Sequence, residues 1–124
     1  MVDLAANPAG TVVFAAQYDA RREESTILRG TAPALAFVPT GPALARTEVF
    51  TLDVAPTDPQ RLYLSGVAVG ARSPLVLRSR DGGATWQAAA EGVTLGDEAF
   101  VSGVSPTAPD TVFVRINEGF GPAP

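Results

Sequence analysis

The sequence predicts an all-β chain of four-stranded antiparallel sheets, the blades of an incomplete β-propeller. Three observations predict it. Self-similarity recurs about every 50 residues. Each copy opens with two apolar runs joined by a proline-containing turn. In the second copy a glycine-rich turn, Ser79 to Trp86, links two further runs.

Repeats decide the fold before local structure does. Leu4 to Ala15 reads LAANPAGTVVFA, Val54 to Leu64 reads VAPTDPQRLYL, and Val104 to Val114 reads VSPTAPDTVFV. The second and third align without a gap: Val54 on Val104, Pro56 on Pro106, Pro59 on Pro109, Tyr63 on Phe113. Proline fixes φ and removes a donor, so Asp58-Pro59 and Ala108-Pro109 are predicted in turns rather than in a ladder. Further on, Ile27-Leu28-Arg29 matches Val76-Leu77-Arg78, and Phe37 matches Trp86.

Strands are therefore expected near 2–5, 11–16, 26–29 and 34–38 in a first blade (about 1–48). They are expected near 50–55, 61–66, 74–79 and 85–89 in a second (about 49–98). Strands near 99–104 and 111–116 make a half blade (99–118), followed by a flexible tail, 119–124. The charged stretch Ala20 to Ser25 and the stretch Gly66 to Arg72 (GVAVGAR) are predicted loop tips. Four strands per ~50 residues is propeller spacing. A β-sandwich needs no such self-similarity.

Ser79 to Trp86 reads SRDGGATW. A short Asp or Ser side chain can accept backbone N–H groups a few residues on and close a turn. Gly82 and Gly83 can take positive φ, which a tight turn requires. Thr85 restarts extended chain, and Trp86 supplies a large ring to bury. The segment resembles the Asp box, Ser/Thr-x-Asp-x-Gly-x-Thr-Trp, of the BNR-repeat propellers. Ser79, Asp81, Gly83, Thr85 and Trp86 match every defined position. The resemblance implies a structural hairpin joining the two outer strands of a blade, remote from any active site. It also makes an extracytoplasmic or cell-surface location an expectation. The family includes sialidases, other glycosidases, sortilin-like receptors and photosystem assembly factors, and fold does not choose among them.

Composition narrows the chemistry. The 124 residues carry net charge −4, and all nine basic side chains are arginine. An acidic chain without a basic stripe is poorly suited to nucleic acid. The absence of lysine beside many Ala, Gly and Pro suggests a GC-rich, bacterial coding genome. With no cysteine and no histidine, thiolate sites and the commonest general base are excluded. No apolar stretch approaches the ~20 residues of a membrane span, and Met1 to Gly10 does not read as a signal peptide. Hydrophobic residues make up 46% of the chain, much of it Ala and Val, so the core is built from small side chains.

No constellation points to a reaction, a cofactor or a metal. Val114-Arg115-Ile116-Asn117 is a faint likeness of the Arg-Ile-Pro motif of sialidases, but Asn117 replaces the proline, and a regular strand explains it. Asp97-Glu98 and Glu23-Glu24 are adjacent carboxylates. Strand neighbours point to opposite faces, so neither pair is a glycosidase dyad. Asp81 alone does not supply the oxygen ligands of a calcium loop, and GVAVGAR lacks the Lys-Ser/Thr of a phosphate loop. Arg78 and Arg80 are expected on one strand face near the turn.

The resulting expectation is a non-catalytic recognition or scaffolding propeller, binding protein or polysaccharide through loops at one rim. Alternatives are a fragment of a carbohydrate-active hydrolase and a degenerate domain without activity. Two and a half blades do not close a ring. The sequence therefore reads as part of a longer propeller, or as a chain that associates through open blade edges.

Overall fold

The computed structural model describes residues 2–89, 96 and 98–117. Among them the chain is all-β, with three antiparallel sheets, none closed on itself. The first contains β1 (Asp3–Ala6), β2 (Val12–Asp19), β3 (Glu24–Thr31), β4 (Val38–Pro39) and β5 (Leu44–Ala45). The second contains β6 (Thr47–Ala55), β7 (Asp58–Ala68), β8 (Ser73–Ser79) and β9 (Gln87–Ala88). The third contains β10 (Glu98–Val104) and β11 (Val112–Asn117). Each is a meander of sequential strands; β4 and β5 both pair with β3, like one outer strand interrupted in its middle.

The sequence repeat is a repeat of register. In the first sheet Ala15 lies opposite Leu28, and Leu28 opposite Pro39. In the second, Leu64 lies opposite Leu77, and Leu77 opposite Ala88, each residue 49 positions on. Because side chains alternate with period two, equal register puts equivalent residues on equivalent faces.

The sheets stack face to face. Val12, Phe14, Ala16 and Ile27 of the first meet Leu52, Val54, Leu62 and Leu64 of the second. Tyr63 and Val76, on the other face of the second sheet, meet Ala99 and Val101 of the third. The second sheet is thus buried on both sides. That is why residues 62–67 of β7 form an unbroken buried run instead of an alternating one. The first strands lie together: β6 contacts both β1 and β10.

Hydroxyls and a carboxylate tie sheet to sheet. Ser25 Oγ, fully buried, donates to Thr47 O at 2.8 Å and accepts the Val49 N–H at 3.2 Å. Ser65 Oγ accepts the Val101 N–H at 3.2 Å, and Asp3 Oδ2 accepts the Leu52 N–H at 2.8 Å. A first strand has a ladder on one edge only, so its remaining N–H groups need such partners when buried. Tyr63 adds a hydrogen bond from its hydroxyl to Pro109 O at 2.9 Å.

Several expectations change. Asp58-Pro59 belongs to β7, and the turn is Pro56-Thr57, closed by the Ala55–Asp58 pair. The register shifts between Val54 and Ala55, and this irregularity absorbs the proline that a regular ladder would reject. Gly66 is inside β7, so the GVAVGAR tip is only Val69 to Arg72. In the first sheet only Val38 of the expected 34–38 strand pairs, with Pro39 just beyond it, since Leu35 takes positive φ. β5 was not expected at all. The tail 119–124 lies outside the described residues.

Candidate functional site

The Ser79–Trp86 turn connects β8 to β9, the two outer strands of the second sheet. Ser79, buried at the end of β8, accepts the Gly83 N–H at 2.8 Å and donates to Asp81 Oδ1 at 2.8 Å. Asp81 in turn accepts the Thr85 N–H at 2.9 Å and the Thr85 hydroxyl at 2.5 Å. Gly82 and Gly83 both have positive φ. Every polar atom of the aspartate is thus directed into its own loop. The arrangement closes a turn.

These bonds hold the Asp81 carboxyl at about 2, the Thr85 hydroxyl contributing most, followed by the Thr85 N–H and the Ser79 hydroxyl. A lowered pKa in the fold means that the ionised form stabilises the fold. That stability is present above the ordinary value of 3.8 and is lost as pH falls toward 2. Asp53 acts oppositely. Its burial, and secondarily Asp3, raise its pKa, so acidification favours the fold there. Subtracting the melting curve of Asp81→Asn from that of the parent isolates the turn. The parent should lose more Tm than the variant between about pH 4 and pH 2. Parallel losses would refute the assignment.

The turn is docked on the first sheet. Thr40 Oγ1 donates to Gly83 O at 2.9 Å, while within the second sheet the Gly82 N–H donates to Gln60 O of β7 at 3.0 Å. Backbones approach so closely at Gly41 that a Cβ there would lie 2.7 Å from Ala84 O. Trp86 is half-buried and packs on the core between the first two sheets. Phe37, its counterpart in the repeat, instead covers Gly30 and is exposed. A small open cavity of about 250 Å³ beside the turn is lined by Arg29, Thr40, Gln60 and Asp81 among others.

The opposite rim carries a different assembly. A meander places the β2–β3 and β7–β8 hairpin tips and the β5–β6 link at the rim away from the β8–β9 turn. There Arg46 forms an ion pair with Glu23, and its guanidinium donates to Val69 O at 3.1 Å. Arg72 pairs with Glu48 at 3.2 Å. Glu23, Arg46 and Arg72 all have positive φ, near 55°. For side chains other than glycine this conformation costs roughly 1–2 kcal/mol. The exposed ion pairs return only about 0–1 kcal/mol each.

Tyr18 stands beside this network. Desolvation, then the Glu48 and Glu23 carboxylates, hold its phenol above the ordinary tyrosine range, so it is a neutral hydroxyl at physiological pH. Next to it an open cavity of about 600 Å³ is lined by Gln17, Tyr18, Asp19, Arg21, Arg22, Glu24 and Thr26. The Asp19 carboxylate accepts the Arg21 N–H at 2.9 Å and the Arg22 N–H at 3.2 Å, which shapes this tip.

The remaining sequence candidates stay apart. Glu23 turns to Arg46 while Glu24 faces Arg22 at 4.0 Å; the adjacent pair diverges because Glu23 lies in the turn at positive φ and Glu24 begins β3. Asp97 lies outside the described residues, and Glu98 begins β10. Arg78 and Arg80 do not share a strand face, because β8 ends at Ser79. Arg78 is half-buried, with its Nε unpartnered among the described residues, and Arg80 is exposed. Arg115 sits in a regular strand, 5.2 Å over the Phe100 ring. Among the described residues no group of three or more acidic side chains could hold a metal ion, and no helix is long and apolar enough to cross a membrane.

Sequence reasoning missed the Tyr18–Arg46–Arg72 rim. The available signal was the 49-residue spacing of Glu23 and Arg72, which identifies them as equivalent last residues of two hairpin loops. No protein-family model matches the chain, and no curated protein matches it.

Proposed function

We propose that the chain is a non-catalytic recognition or scaffolding piece of an Asp-box-type β-propeller, engaging a glycan or protein at the rim opposite the Ser79–Trp86 turn. The carrying observation is the positive-φ trio Glu23, Arg46 and Arg72 around Tyr18. Charged side chains are held there at a conformational cost that glycine would avoid, and such strain concentrates where a surface has a task beyond stability. The adjoining open cavity offers a neutral phenol, an amide, a hydroxyl, two arginines and two carboxylates, a set suited to hydrogen-bonding a polyhydroxylated ligand. Binding rather than hydrolysis is favoured because Arg46 and Arg72 are each paired with a carboxylate, and the two carboxylates lining the cavity are themselves engaged, Asp19 by the Arg21 and Arg22 N–H groups and Glu24 by the Arg22 side chain.

A fragment of a carbohydrate-active hydrolase is the second reading, favoured by the gathering of tyrosine, arginine and glutamate on one rim. One pair of experiments separates them. A glycan array should show binding that Tyr18→Ala weakens at least about tenfold, the loss expected from one well-placed contact, without lowering Tm. Assays on sialoside and β-glucan substrates should show no turnover. Turnover abolished by Glu23→Gln or Glu48→Gln would replace the first reading by the second.

A further inference from the structure

The chain bears, on its first and third sheets, the two complementary halves of an interface that it already uses internally. The first half is the face that the second sheet turns to the first, made of Leu52, Leu62, Leu64, Leu77 and Trp86. Equal register places Leu4, Val13, Ala15, Leu28 and Phe37 on the corresponding face of the first sheet. Among the described residues its larger side chains stand open, Leu4 51% and Phe37 39% exposed, while the small Ala15 between them is buried by its neighbours. The second half is the face that the second sheet turns to the third, centred on Tyr63, which is 1% exposed. Its counterpart on the third sheet is Phe113, 56% exposed, on the same face as Arg115 and Phe100.

We infer that a second copy of this chain covers both faces, the third sheet of each copy stacking on the first sheet of the other. A contact between two different faces of one protein continues head to tail until it closes or becomes a filament. Closure is decided by blade number. Propellers close with about four to eight blades. The three sheets among the described residues make six in a ring of two copies and nine in a ring of three, so two copies fit the range. The occupant must present a strand pair able to pack on an apolar sheet. The third sheet already packs one face, Ala99 and Val101, on the second sheet, and its other face presents Phe113 outward as Tyr63 is presented to the third. This inference is independent of what the rim binds.

Light scattering after gel filtration tests it. The expected mass is twice 12.8 kDa, unchanged as concentration rises. Leu4→Glu and Phe113→Glu should each return the protein to one chain. Val38→Glu, an exposed apolar residue on the other face of the first sheet, should not. Circular dichroism on each variant shows that the fold survives, as expected for exposed positions. The chain has no cysteine, so a variant carrying both Leu4→Cys and Phe113→Cys reports the geometry. Under oxidation it should yield a covalent dimer. A single-chain mass for the parent, a mass that grows with concentration, a covalent ladder, or a dimer untouched by both glutamate variants would each overturn the proposal.

Discussion

Gly66→Ala is expected to be the most damaging single methyl group that can be added to this chain. Gly66 lies in the middle of β7, opposite Val49, next to the point where the β6 register shifts between Val49 and Thr51. The irregularity swings the β6 backbone over it. A Cβ at Gly66 would sit 2.0 Å from Glu48 O and 3.0 Å from Val49 Cα. Both obstacles are main-chain atoms of a paired strand, so no rotamer change relieves the clash. Only loss of the local β6–β7 pairing would, and that pairing lies between the buried Ser25–Val49 tie and the Thr51–Ser65 hydroxyl contact. The cost should be about 3 kcal/mol or more, a large part of the ~5–15 kcal/mol that holds a domain folded. Denaturant melts of Gly66→Ala should show a collapsed midpoint or no folded baseline. Gly103→Ala is the control. Gly103 also borders a register shift, in β10, yet a Cβ there meets nothing within 4 Å. If both variants melt alike, the steric account is wrong.

Gly83→Ala should be nearly as severe, for two separable reasons. Gly83 has φ +97°, which L side chains rarely adopt, and its added Cβ would lie 2.6 Å from Thr40 Oγ1 and 3.0 Å from Thr40 Cβ. Conformation and clash together should cost about 2–4 kcal/mol. A double-mutant cycle with Thr40→Ala separates them. Removing Oγ1 relieves part of the clash but none of the conformational penalty, and Thr40 Cβ remains. Thr40→Ala alone forfeits the hydrogen bond to Gly83 O. The second substitution should therefore be cheaper in the Gly83→Ala background than in the parent, with the double variant still well below parent stability. Strict additivity would mean that turn and first sheet are not pressed together as the structure has them.

The contrast between these glycines shows what was legible beforehand. Gly83 was marked in the sequence because its role is local: it sits four residues after Ser79, and the turn that needs it is written in eight consecutive residues. Gly66 falls at the seam of two sequence readings, the end of the 61–66 strand and the start of the Gly66–Arg72 tip, and β7 runs through it. Its constraint comes from a β6 irregularity about sixteen residues away, and no local pattern encodes a register shift. Asp58-Pro59 went astray similarly, because proline reads as turn unless a bulge is known to await it. The interrupted outer strand β4–β5 was half seen, since two-residue pairings carry too little hydrophobic pattern to announce themselves.

The candidate site was less legible than the fold. Glu23, Arg46, Glu48 and Arg72 are spread over fifty residues. Each alone is an unremarkable surface charge, and the run Arg21-Arg22-Glu23-Glu24 masks the one that matters. The β3–β5 pairing, with Glu24 opposite Ala45, brings Arg46 to the β2–β3 tip, the second sheet supplies Val69, Glu48 and Arg72, and only the αL backbone at these positions shows that their placement is costly.

The sequence by itself determined the repeat, the all-β class and the hairpins around the prolines. All of these follow from contacts within a few residues or from a period of about fifty. The tertiary structure decided which sheet faces are covered, where register breaks, and which charges meet at the rim. These depend on non-local pairing, where a slip of one residue would turn every side chain to the other face. The Ser79–Trp86 turn stands on both sides of this division: its internal hydrogen bonds were readable in advance, while its seat on Thr40 and Gly41 was not.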